Sequence, residues 1–240
     1  MAYRCPTCAP PAGLALAFVM AGLACRGEAQ EPPHWEVWSG GQAIHDTWSI
    51  YSGTSWAPFA GIQQDGVRLR GVVGYGDHRG GEVAFGDLLV GYQKHMGPFT
   101  LELLGGVGVA EQRSADGSRS RLAGKGVMEV WWTVTEQAWA SADLMFALAP
   151  IDHVDGVDYG SRLRLGWRLW PTLSVGLEGG SGGLLLRALV PATSRAGGFL
   201  RYEWATGEAS LSGGVAIDER PTPDRHGPGA FGTVSVMTRF

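Results

Sequence analysis

The 240 residues suffice for one large β domain or two small ones, and they combine 38 glycines and 10 tryptophans with only 18% charged residues. A net charge of −4 with no basic patch or basic tail excludes nucleic acid as a partner. The glycines sit inside alternating apolar runs, which reads as ordered β-structure rather than low complexity.

The first thirty residues read as an export signal. Arg4 gives a positive start, residues 13–24 (GLALAFVMAGLA) are an apolar stretch too short for a comfortable membrane span, and Gly27 and Ala29 flank Glu28 as a small-x-small cleavage site. Cleavage near Ala29 divides the chain into a signal peptide over 1–29 and a single outer-membrane β-barrel domain over 30–240. Cys5, Cys8 and Cys25 all lie in the removed segment, so the CPTC pair leaves with it and no thiol remains. A lipoprotein start at Cys25 is the competing reading. Its Leu23 stands two residues before the Cys, where that motif places it three before.

From Trp35 onward the pattern is strand, turn, strand, with no helical period. The spacing predicts strands near 34–41, 47–59, 66–79, 82–96, 99–112, 121–136, 137–151, 158–170, 171–184, 194–207, 208–220 and 227–240. Alternation is cleanest in RLRLGWRLW, where Leu163, Leu165, Trp167 and Leu169 share one face and Arg162, Arg164 and Arg168 the other. A soluble sandwich would send the polar face to water outside. An outer-membrane barrel sends the apolar face to lipid and turns the polar one inward. Export, a glycine-rich polar face and aromatics near strand ends (Trp35, Trp38, Tyr92, Trp132, Trp139, Trp170 and Trp204) favour the barrel, whose interfacial girdle takes such rings.

Connection lengths test this independently, because barrels alternate short turns with longer loops. The joints at Gly97-Pro98, Glu136-Gln137, Trp170-Pro171 and Gly207-Glu208 are tight and fall at every second connection. Between them lie SADGSRS, DHVDGVD, SGGLLLRALVPATS and RPTPDRHGP. The prediction is a transmembrane antiparallel up-and-down barrel of twelve strands, or of ten with the N-terminal stretch outside. The last segment, GTVSVMTRF, alternates to its end, with Val234, Val236 and Phe240 on one side. A closed barrel pairs this strand with the first, and Phe240 supplies the C-terminal aromatic read by the outer-membrane assembly machinery.

Five stretches, GVRLRGVVGYG, DLLVGYQKHMGPFTLELLGGVG, GKGVMEVWWTVTEQAWASADL, SRLRLGWRLWPTLSVGLEGG and RAGGFLRYEWATGEASLSGGVA, together with WEVWSGG and FGTVSVMTRF, resemble in their order the BcsS family of bacterial cellulose biosynthesis proteins, known from alphaproteobacterial cellulose gene clusters. The resemblance implies a role accessory to cellulose production or export at the cell envelope, with cellulose or export proteins as partners beside outer-membrane lipid. It implies no catalytic activity and carries over no site residues.

No nucleophile elbow, phosphate loop, zinc spacing or dinucleotide fingerprint occurs after residue 29, so no cofactor is expected. The inward face carries Arg68, Arg70, Asp87, Glu102, Glu129, Asp143, Arg162, Arg164, Arg168, Glu178, Arg201, Glu203 and Arg239. Two readings are open: a charge-paired plug, or a polar conduit in which guanidinium and carboxylate groups hold sugar hydroxyls or ions. A rim beside the longer loops collects His45, Asp46, His78, Asp77, His153, Asp152, Asp155, His226 and Asp224, while His34 and His95 fall at the other end. Those rim pairs would be the place for acid/base chemistry if the protein were an outer-membrane enzyme. A general small-solute channel is the remaining alternative.

Overall fold

The computed structural model describes residues 32–44, 47–77, 81–114, 117–148, 157–184, 193–218 and 228–240. Twelve strands run in order: β1 (Trp35–Ile44), β2 (Thr47–Trp56), β3 (Gly66–Asp77), β4 (Glu82–Met96), β5 (Phe99–Ser114), β6 (Gly117–Thr133), β7 (Ala138–Leu148), β8 (Val157–Trp170), β9 (Leu173–Leu184), β10 (Thr193–Trp204), β11 (Gly207–Asp218) and β12 (Gly229–Arg239). Each pairs antiparallel with its sequence neighbours, and β12 pairs with β1, so the sheet is a closed barrel. Closure joins Glu36 to Arg239 and Ile44 to Phe231 in register. Trp35 N donates to Phe240 O (3.0 Å), and Phe240 N donates to Trp35 O (2.9 Å), so no strand edge is left open. β1 belongs to the wall, which excludes the ten-strand count.

Alternation sorts the side chains as the two solvents demand. Leu163, Leu165, Val73, Leu88 and Leu211 are more than half exposed on the outside, whereas Arg68, Glu178 and Arg201 are buried inside. Outward aromatics gather in two belts. At the end that holds both termini, here the base, Trp35 stacks on Trp56 (5.4 Å) and Phe99 on Trp132 (5.2 Å). At the far end Trp48 meets Tyr75 (5.8 Å). Trp48 and Trp56 lie roughly 26 Å apart along β2, which a strand tilt of about 40° shortens to about 20 Å of height, near the apolar band of such barrels.

Several expectations need correction. Trp38 and Trp139 do not join the girdle: both point inward, Trp38 against Arg70 and Trp139 at 2% exposure. Their parity along β1 and β7 is opposite to that of Trp35 and Trp132, a distinction that proximity to a strand end does not reveal. SADGSRS is not a loop, because β5 and β6 pair up to Ser114–Gly117 and only residues 115–116 separate them. Gly117 has φ 124°, which a side chain would resist, and so supports so short a reversal. The second strand ends at Trp56, not at residue 59.

Connection parity holds for four base turns and fails at the fifth. Residues 57–65, on that same end, form a nine-residue connection between β2 and β3. At the far end the joints at 45–46, 78–81 and 115–116 are short, and only those at 149–156, 185–192 and 219–228 are long.

Candidate functional site

The lumen is built from the inward half of every strand, and two clusters fill its base. First, the 57–65 connection is held against the barrel. Arg68, 1% exposed, donates from Nη2 to the carbonyls of Ile62 (2.9 Å), Gln64 and Gly61 (3.4 Å), and from Nη1 to that of Val67 (3.0 Å). Gln93 Nε2 donates to Gln64 O (3.2 Å) and Ile62 O (3.4 Å). Ile62 N donates to Pro33 O (2.6 Å) and Ala57 N to His34 O (2.9 Å), so Ile62 and Ala57 are buried. A guanidinium has five N–H donors, and here three bonds go to backbone carbonyls of a single excursion and one to Val67 of β3. Outside the membrane span, Asp65 accepts from His95 N (2.7 Å), His95 Nδ1 (2.8 Å) and Lys94 Nζ. These partners hold its carboxyl well below the usual carboxylate range.

Second, Arg201 on β10 reaches along the inner wall to β6 and β7. Its guanidinium lies 4.7 Å from the ring of Trp131 on β6 and 5.0 Å from that of Trp139 on β7. The two indoles stack at 4.3 Å, Trp139 meets Phe199 at 5.4 Å, and Trp139 Nε1 donates to Ser174 Oγ (3.3 Å). Glu203 (3.0 Å) and Glu208 balance the Arg201 charge. Strands β6 and β10 are four apart of twelve around the wall, so this cluster lines one side of the lumen and is not a neighbouring-strand pair.

Elsewhere in the lumen the charges pair across strands. Arg70 binds both oxygens of Glu129, Glu102 (3.0 Å) and Ser55 (3.1 Å), with the Trp38 ring 5.3 Å from it. Arg162 meets Asp143 (2.7 Å), and Arg164 meets Glu178 (2.6 Å). Lys125 meets Asp87, and Arg239 meets Glu36 (3.0 Å). Arg168 donates to Glu136 O (2.9 Å) at the base turn, apart from the central charges. Glu129, Asp143 and Arg162 stand in register on adjacent strands and keep 36%, 32% and 35% of their side chains accessible, so a wet row persists in mid-lumen.

Residues absent from the sequence-derived set complete this interior. Lys125 lies 5.9 Å from the Phe85 ring, and the Phe199 ring lies 5.1 Å from the expected Arg164. Arg195 lies 5.4 Å from Phe231 and reaches Gln42 (3.2 Å) and Glu178 (3.4 Å). Strand parity would have found Lys125 and Arg195, which share it with Glu129 and Arg201. It could not have supplied their partners. At the far end Asp77 closes β3 opposite Glu82, while His78, His153, Asp152 and His226 lie outside the described residues, as does the expected signal segment. Phe240 is 46% exposed at the base, on the side of Val234.

The sequence pattern of the family described as "Cellulose biosynthesis protein BcsS" matches residues 37–240, nearly the whole barrel. The chain belongs to the BcsS family. No match was found among curated proteins. Among solved structures the BcsS chain resembles the KdgM porin (11% identity, 85% of this chain and 99% of that one, TM-score 0.53) and the NanC porin (9%, 86% and 100%, 0.54). It also resembles an outer membrane channel from Pseudomonas putida F1 (10%, 89% and 97%, 0.50). At these identities the likeness concerns the fold: a twelve-stranded barrel of outer-membrane type, which suggests an outer-membrane location. No helix among the described residues is long and apolar enough to cross a membrane.

Proposed function

We propose that this BcsS protein is a non-catalytic accessory of cellulose biosynthesis that works in the outer membrane as a closed barrel, not as the route of the glucan. The observation that carries this reading is the cluster at the base, where Arg201 lies against Trp131 and Trp139. A sugar chain sliding through a barrel needs free aromatic faces or free hydrogen-bonding groups. Here the inward rings of Trp38, Phe85, Trp131, Trp139, Phe199 and Phe231 each lie near a cation, and the ions have partners of their own. The base faces the periplasm, where short turns belong. Residues 1–29 are removed on export, and Phe240 is the assembly signal. The protein then meets lipid around its wall, and the emerging glucan or the export apparatus at its two ends.

Deletion of the gene, with cellulose made and cellulose released measured separately, tests the reading. Total cellulose should fall, with no glucan retained inside the envelope, and a chain carrying Arg201→Lys should restore it. Retained, unreleased cellulose would identify a conduit and overturn the proposal.

A further inference from the structure

The outer wall is not uniformly convex. A groove of about 560 Å³ crosses it from β1 to β6. Its floor is set by Gly71 and Gly86, where an added Cβ would find its nearest neighbour no closer than 3.8 Å. Its sides are Val73, Leu88, Val109 and Leu122, all more than half exposed. At one end the register partners Val37 and Thr54 adjoin the stacked Trp35–Trp56 pair of the base belt. At the other, the partners Val109 and Leu122 come within two residues of Glu111, whose carboxylate accepts from Arg113 Nε (2.9 Å) and Ser118 Oγ (2.9 Å).

We propose that this groove seats a single acyl chain of a phospholipid. The groove is continuous with the lipid-facing wall and lies between the aromatic belts, so its occupant is hydrocarbon. A concave slot touches a chain on three sides where the convex wall touches it on one. The gain is dispersion contact, since transfer from other lipid offers no hydrophobic term.

The test is native mass spectrometry of the barrel purified from palmitoyl-oleoyl phosphatidylethanolamine nanodiscs into detergent. The wild-type chain should retain one phospholipid, and Gly71→Leu or Val73→Trp should lose it. Gly126→Leu, equally outward but outside the groove, should keep it. Heat-modifiable gel migration shows which variants form the barrel, and Val73→Trp replaces a side chain already 62% exposed. No retained lipid in the wild type, equal retention in the filled variants, or a dimer that the filled variants abolish would each overturn the assignment, the last by giving the groove to a second copy.

Discussion

The two faces of one wall obey opposite packing rules. Inside, a Cβ added at Gly166 would overlap the Trp139 ring, and one added at Gly53 would overlap Trp38. Outside, Gly126 has nothing within 4 Å, and at Gly71 and Gly86 an added Cβ would meet only ordinary contacts at 3.8 Å or more. The difference teaches that jigsaw specificity belongs to the lumen, where large rings and guanidinium groups fill a fixed volume. Lipid fills whatever shape the outer wall presents.

The sharpest way to break this comparison is to move one bulk change between the faces. Gly166→Leu should abolish the heat-modifiable barrel, because Trp139 has no room to retreat. Gly126→Leu should leave migration and denaturant midpoint unchanged. Equal tolerance at both sites would show that the lumen is loosely packed. A smaller effect follows from Arg70→Ala, which strands Glu102 and Glu129. With Glu129 about a third accessible, the loss should be about 3 kcal/mol in denaturant unfolding in micelles, the lower end for a broken buried pair. Arg70→Ala/Glu129→Gln should recover part of it, and no recovery would deny their coupling.

The smallest effect concerns the base excursion. Asp65 has its carboxyl pKa depressed when folded, so its contribution is present above the unfolded carboxylate pKa of about 4 and fades only as pH falls through the lower folded value. Hydrogen exchange over 57–65 should therefore stay slow from about pH 8 down to about pH 5, the carboxylate being ionised throughout that window. Asp65→Asn should speed it across the same range. Identical exchange in the variant would mean that Arg68 and Gln93 hold the segment without help.

Much of the wall was legible before any coordinates. The eighth strand, from 158 to Trp170, coincides with β8 to within a residue because arginine or glycine alternates with apolar residues from Arg162 to Leu169, and the fourth, 82–96, coincides with β4 although Leu88, Leu89 and Val90 interrupt its alternation. Legibility failed where polarity imitated a loop. SADGSRS is serine-rich, yet its ends pair, since at a barrel rim both faces of a strand meet water and the apolar half of the pattern is missing. It failed again at 57–65, where a connection on the short-turn end is stabilised by carbonyl groups that every sequence possesses.

By itself the amino-acid order determined the two-residue period, the polar face with its glycines, and the terminal Phe240, all local properties of a strand. Only the tertiary structure decided that Arg201 meets Trp131 and Trp139, that Arg68 holds an excursion, and that Gly71 and Gly86 floor a groove. The physical reason is closure. Alternation says which side of a sheet a residue takes, but curving that sheet into a ring brings together strands that are far apart around it, and no pattern along one strand encodes its partner across the lumen.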